Sequence, residues 1–205
     1  MIAVIDYGAG NTLSVGNALE RLGANYILTC DKKVILSADK VIFPGVGDAS
    51  YAMNQLRERD LIPVIKSITK PFLGICLGMQ LLCTHSEEGD TDCLDIIPNM
   101  VRKLSKEQEQ EGEEKLLFRN KIPNIGWCEL EGLSSPLFRG LKDGDFVYFV
   151  HSYAAEVNSH TIAIANHNEP FSAALSYKNF YGVQFHPEKS GKIGEKILSN
   201  FLNEV

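Results

Sequence analysis

Several things are scarce in this chain. It has no run of about 18 apolar residues that could cross a membrane as a helix. Its first residues, Met1-Ile2-Ala3-Val4-Ile5-Asp6, begin as a strand and lack the charged and long apolar regions of a signal peptide, so a cytoplasmic protein is expected. There is no Cys-x-x-Cys pair, and the five cysteines (Cys30, Cys76, Cys83, Cys93, Cys128) are odd in number. That argues against both a disulfide framework and a zinc site, and most of these thiols are expected to be small buried apolar groups. Positive charge is in short supply too: 20 Lys and Arg face 26 Asp and Glu, a formal net charge of −6. The basic residues are scattered rather than striped, which gives no electrostatic footprint for nucleic acid. No internal repeat and no persuasive linker divides the chain.

What is present suits one large α/β domain over residues 1–205, since 205 residues at 44% hydrophobic can bury a proper core. Ile2 to Ile5, Tyr26 to Leu28, Val41 to Phe43 and Phe72 to Ile75 read as buried strands. Leu13, Ala18, Leu19 and Leu22 before Gly23 read as the apolar face and C-terminal cap of a first helix, and Asp48 is placed to cap a second through Leu56. Such alternation specifies a mostly parallel central sheet flanked by helices. From Asp145 the strands crowd together (Phe146 to Val150, Thr161 to Ala165, Phe171 to Ser176, Phe180 to Phe185), predicting an added mixed or antiparallel sheet that extends the central one. A last helix from about Lys192 to Leu202 carries Ile193, Ile197, Leu198 and Phe201 on one face and is expected to pack back on the sheet. Ser105 to Glu114, with five glutamates and no apolar side chain, reads as a solvated loop or irregular surface helix.

Two motifs carry chemistry. Cys76 lies in Gly74-Ile75-Cys76-Leu77-Gly78 after an apolar run, the layout of a Gly-x-Ser-x-Gly nucleophile elbow with sulfur in place of the hydroxyl. His186-Pro187-Glu188 closes the run Tyr181 to Phe185. In extended backbone His186 and Glu188 project to one side, where the carboxylate can orient the imidazole and the imidazole can stabilise a thiolate. Either motif alone fits a core cysteine or an ordinary strand-end turn. Together, each at the end of an apolar run, they favour a site at the strand ends where such sheets place their chemistry. Pro44-Gly45-Val46-Gly47 follows another strand; its backbone N–H groups, with that of Leu77, can form an oxyanion hole. A simple turn is the alternative there.

Other signals are weaker. Asp6-Tyr7-Gly8-Ala9-Gly10-Asn11 imitates a dinucleotide fingerprint, and Asp31 could pose as the ribose acid, but Leu13 stands where the third glycine belongs. The reading is therefore a strand-end loop, with no cofactor and no metal assigned. His85, His160 and His167 have no partners at ligand spacing and are assigned to surface or loops. His151-Ser152-Tyr153 ends a buried strand and is placed to line the pocket; His151 and Ser152, adjacent in an extended chain, point apart and cannot form a catalytic pair without distortion.

Gly74-Ile75-Cys76-Leu77-Gly78-Met79-Gln80 with His186-Pro187-Glu188 resembles the class I (triad) glutamine amidotransferases. Within them, Asp6 to Asn11, Pro44 to Gly47, Pro123 to Trp127, Val150 to Tyr153 and Gln184 to Gly191 resemble, in order and over essentially the whole chain, the glutaminase subunits of imidazole glycerol phosphate synthases. The resemblance implies Cys76 as nucleophile, His186 as base and acid, and Glu188 as orienting carboxylate. Gln80 and Glu88 would hold glutamine by its amino acid end; Gly45, Val46, Gly47 and Leu77 would serve substrate and oxyanion through the backbone. It further implies that the Pro44 to Gly47 segment reorients under control of a partner, which glycines at 45 and 47 would make cheap. That partner would be a (β/α)8-barrel cyclase, forming a heterodimer that makes imidazole glycerol phosphate and aminoimidazole carboxamide ribonucleotide. An acceptor site on another polypeptide is expected in any case, because one glutaminase-sized domain leaves no room for it and free ammonia would be lost. Asn11 and Trp127 are the interface candidates, with a core position the alternative for Trp127. The chain departs from the family pattern at Asn124-Ile125-Gly126-Trp127-Cys128, where His-Met-Gly-Trp-Asn is usual, at Thr12-Leu13, and in the acidic stretch, which looks inserted. Rival readings are a paralogous glutaminase feeding amidination of surface sugars, another thiol hydrolase, and a non-enzymatic binding subunit.

Overall fold

A computed structural model describes residues 1–105 and 121–205; the acidic stretch beyond Ser105 lies outside the described residues. The first half alternates as its sequence pattern requires: β1 (Ile2–Ile5), α1 (Thr12–Arg21), β2 (Tyr26–Thr29), α2 (Lys32–Ser37), β3 (Lys40–Gly45), α3 (Ala49–Glu58), α4 (Ile62–Ser67), β4 (Phe72–Cys76) and α5 (Leu77–Leu82). Short strands β5 (His85–Ser86), β6 (Thr91–Asp92) and β7 (Met100–Lys103) follow, then β8 (Asn124–Glu129), β9 (Phe146–His151), β10 (Tyr153–Ala155), β11 (Thr161–His167), β12 (Glu169–Tyr177), β13 (Phe180–Val183) and α6 (Gly191–Asn203).

Seven strands form the central sheet in the order β11-β12-β13-β4-β3-β1-β2. β2, β1, β3, β4 and β13 run parallel, while β12 and β11 extend the sheet in antiparallel fashion. β10, β7, β5 and β6 make a second sheet, and β8 pairs with β9 in a separate antiparallel ribbon. Side chains alternate between two cores, one on each face of the sheet: Ala3, Ile5, Val41, Phe43 and Phe72 on one, Val4, Ile42, Leu73 and Ile75 on the other. Burial on both faces is why these strands read as unbroken apolar runs.

Local signals explain the helix ends. Asp31 and Asp48 cap α2 and α3 by accepting backbone N–H bonds from Lys33 and Val34 and from Tyr51. Asp31 is thus a helix cap. Gly23, at φ +68°, ends α1 in a Schellman turn, with Gly23 N–H donating to Glu20 and Ala24 N–H to Leu19.

Four expectations change. Leu13 is 70% exposed; α1 instead buries Val15, Gly16, Ala18 and Leu19, and Gly16 packs where a Cβ would lie 2.7 Å from the Tyr26 hydroxyl. β2 is not buried, because it is the edge strand and exposes Ile27 and Leu28. Phe146 to Val150 belongs to the separate ribbon and not to the central sheet. The last strand stops at Val183: Gln184 N–H still donates to the Ala173 carbonyl of β12, but by His186 the chain has left the sheet, its N–H donating to Tyr148 of β9. α6 buries Ile197, Leu198 and Phe201, while Ile193 stays partly exposed, and it packs over the turn that follows His186: a Cβ on Gly194 would lie 1.9 Å from the Pro187 carbonyl oxygen.

Candidate active site

Cys76 is the last residue of β4 and the residue before α5, with φ +53° and ψ −112°. A non-glycine residue in that region stores about 1–3 kcal/mol of strain and persists only where packing enforces it. Here the packing does. A Cβ on Gly78 would lie 1.9 Å from the Phe43 carbonyl oxygen, one on Gly74 2.7 Å from the Gly78 oxygen, and one on Gly182 2.6 Å from Met79 Cγ. α5 can sit this close to β3, β4 and β13 only because those positions are glycine.

His186 leaves the end of β13, and its Nδ1 lies 2.8 Å from Glu188 Oε1, with both side chains no more than 2% exposed. The pairing is as expected from the sequence; its geometry is not, since Pro187–Lys189 form a 3₁₀ turn in place of extended backbone. Ser190 Oγ locks that turn, donating to the His186 carbonyl at 2.7 Å and accepting from Tyr148 N–H at 2.9 Å. Burial disfavours charge on His186, but the neighbouring Cys76 sulfur and Glu188 carboxylate outweigh it and raise its pKa to about 9. Nε2, the ring nitrogen not held by Glu188, is buried without a hydrogen-bond partner within the described residues.

Cys76 and His186 open on a cavity of about 180 Å³, shared with Val46, Gly47, Leu77, Gln80, Glu88, Val150, His151, Ser152 and Tyr153. That is smaller than the roughly 300–1,000 Å³ of drug-sized pockets and suits a small metabolite. Of the residues anticipated for the site, Glu188 and Gly45 do not line the cavity. Glu188 is buried behind His186, and Gly45 stands behind the wall, paired with Cys76 in the sheet, where a Cβ would lie 2.6 Å from Gly78 N. The Val46 N–H does not face an oxyanion position either, since it donates to the Ala9 carbonyl at 3.3 Å. Gln80 donates both amide hydrogens to the scaffold, to the Tyr153 carbonyl at 2.8 Å and to Gln184 Oε1 at 2.9 Å. Glu88 is half-buried and accepts from Ala49 N–H at 3.0 Å; burial raises its pKa, with Ala49 opposing and Asp48 adding.

His151, Ser152 and Tyr153 line the cavity as anticipated. His151 Nδ1 meets the Tyr153 carbonyl at 2.9 Å and Nε2 meets Asn124 Nδ2 at 3.0 Å. Burial is the largest cause lowering His151 to about 4, with His167 and His186 adding and the Tyr153 bond opposing. One cavity therefore holds two histidines tuned in opposite directions, a charged His186 and a neutral His151. Sequence reasoning missed Gln184, Tyr7 and the Val150 and Tyr153 carbonyls. Gln184 Nε2 lies 3.7 Å from Cys76 Sγ, the Val150 carbonyl lies 3.8 Å from the same sulfur, and the Tyr7 hydroxyl is buried behind it. Backbone carbonyls leave no trace in a motif, but Gln184 sits two residues before His186 and was within reach. Among the described residues, no cluster of three or more His, Cys, Asp or Glu could hold a metal ion.

The site and fold have counterparts. Residues 3–205 match the family model of glutamine amidotransferase class-I. The chain is 48% identical to the imidazole glycerol phosphate synthase subunit HisH of Bacteroides thetaiotaomicron, over 98% of each, and 45% identical to the subunit of that name from Yersinia pseudotuberculosis, again over 98% of each. Among solved structures, a glutamine amidotransferase superimposes with a TM-score of 0.71 at 15% identity, covering 98% of this chain and 97% of the other. This chain therefore belongs to the class I glutamine amidotransferase family.

Proposed function

We propose that this chain is the glutamine-hydrolysing subunit of an imidazole glycerol phosphate synthase, releasing ammonia at Cys76 for a cyclase subunit in histidine biosynthesis. The observation that carries the chemistry is Cys76 on a strained, glycine-packed elbow beside a buried His186–Glu188 pair, at the mouth of a small cavity. The names of relatives at 45–48% identity carry the pathway and disfavour the surface-sugar alternative.

In this reading the Cys76 thiolate attacks the side-chain carbonyl carbon of glutamine, and charge collects on the carbonyl oxygen. Leu77 N–H, in the unpaired first turn of α5, is one donor to that oxygen. A second comes from the Val46–Gly47 segment once the Val46 peptide leaves Ala9. The C–N bond breaks as His186 gives its proton to departing ammonia; the resulting thioester is then hydrolysed by water that His186 deprotonates, giving glutamate and free thiol. Glu188 holds the imidazole in the tautomer with the proton on Nδ1 throughout. Gln80, whose amide oxygen is left over, and Glu88 receive the α-amino end of glutamine.

The partner is a (β/α)8-barrel cyclase that accepts the ammonia. Trp127, 53% exposed and edge-on to Tyr148 at 5.9 Å, is the anchor on this chain, with Asn11 a second contact. The deciding experiment is glutamate release from glutamine by this chain with the cyclase, with and without the cyclase's ribonucleotide ligand. Strong stimulation by the ligand, abolished in Cys76→Ala while ammonia-dependent synthesis by the partner persists, is the expected result. No stimulation in a folded complex, or near wild-type turnover by Cys76→Ala, would overturn it.

A further inference from the structure

We propose that Gln184 is a positioning residue for the nucleophile, its side-chain amide held as a hydrogen-bond donor to Cys76 Sγ by a chain of contacts that starts at the Tyr153 carbonyl. The inference rests on the reading of Cys76 as nucleophile and assigns a role to a residue outside the triad.

An amide side chain can meet a neighbour with either its oxygen or its nitrogen, so its direction has to be read from the network around it. Here one group decides. The Tyr153 carbonyl can only accept, so Gln80, 2.8 Å away, must present its nitrogen. The other hydrogen of that nitrogen points at Gln184, 2.9 Å away, which must answer with its oxygen. Gln184 is then obliged to turn its own nitrogen toward Cys76 Sγ, at 3.7 Å. The same carbonyl sets the opposite branch: His151 donates to it from Nδ1, leaving Nε2 to accept from Asn124 Nδ2.

Gln184 is fully buried, its backbone is fixed by the N–H bond to Ala173, and its side chain is held by the Gln80 contact. A fixed amide donor aimed at a largely buried sulfur favours the thiolate over the thiol. His186 does the same from another direction while also moving protons. Gln184 takes no proton, so its contribution persists in the thioester steps, when His186 changes charge.

The test follows alkylation of Cys76 by iodoacetamide across pH, quantified on the Cys76 peptide, in wild type, Gln184→Met and Gln80→Met. The assay needs no glutamine, so loss of substrate binding does not disturb it. Gln184→Met keeps the side chain's length and removes the donor; its profile should move to higher pH by about one unit, a tenfold smaller thiolate fraction at a given pH below it. Gln80→Met leaves Gln184 in place without its orienting contact and should move the profile in the same direction by less. Coincidence of a folded Gln184→Met with wild type overturns the proposal. If Gln184→Met does not fold, Gln80→Met decides, and coincidence there overturns it equally. A wild-type Cys76 that reacts no more readily than the exposed Cys30 would instead remove the nucleophile assignment, and this proposal with it.

Discussion

The two walls of the cavity use glycine for opposite ends. On the elbow wall, Gly74, Gly78 and Gly182 are positions where a Cβ would collide with a neighbour at 1.9–2.7 Å. Across from it, Gly47 sits at φ +95° with nothing within 4 Å, next to a Val46 that is 39% exposed and held by one long bond to Ala9. The first wall fixes the nucleophile by leaving it no alternative. The second keeps a backbone segment free to turn, at the cost of one hydrogen bond worth about 1 kcal/mol. Gly45 sides with the first wall, so of the two glycines credited with cheap reorientation only Gly47 qualifies.

The rigid wall includes the His186–Glu188 pair, and removing its charge is the sharpest way to strain the contrast. Glu188→Gln should lower glutamine turnover by roughly 10²-fold or more, the scale of general acid–base catalysis. His186 is held at about 9, above its ordinary value, so it is protonated through neutral pH and loses its proton as pH rises through about 9. The wild-type kcat/KM profile should therefore fall on the alkaline side near 9. The linked stability runs the same way, present in full below the ordinary histidine value and lost as pH passes through about 9. Without the Glu188 charge the alkaline limb should move toward neutrality; an unmoved limb would show that the pair does not govern His186.

Second in size is Gly78→Ala. The obstacle is the Phe43 backbone carbonyl and not a flexible side chain, so β3 and α5 must separate. About 3 kcal/mol of stability should be lost in urea unfolding, the upper range for overpacking. A loss under 1 kcal/mol would mean the elbow is looser than its contacts state.

Much of this contrast was legible in the sequence, and the reasons it stopped are physical. The elbow could be read because close packing forces small residues at fixed offsets from Cys76. The His186–Glu188 contact could be read from proximity, although a 3₁₀ turn achieves it. Leu13 and β2 misled because apolar content reveals neither the phase of a short helix nor which strand lies at a sheet edge. The direction of the Val46 N–H, the Tyr153 carbonyl and the donor sense of Gln184 depend on which way a peptide or amide faces, and residue types do not encode that.

Gly47→Ala is the smallest change and tests the open wall directly. No neighbour stands in the way of the added methyl, so the cost is the left-handed backbone alone, about 1 kcal/mol of stability by urea unfolding. Catalysis should suffer differently from stability. If the Val46–Gly47 peptide turns to supply an oxyanion donor, restricting it should lower kcat for partner-stimulated glutamine hydrolysis and leave KM nearly unchanged, because the lost donor acts on the developing charge and not on bound glutamine. Unchanged kcat would place the second donor elsewhere. A stability loss equal to that of Gly78→Ala would mean the two walls are equally packed, and the distinction between a fixed nucleophile and a movable oxyanion segment would fall.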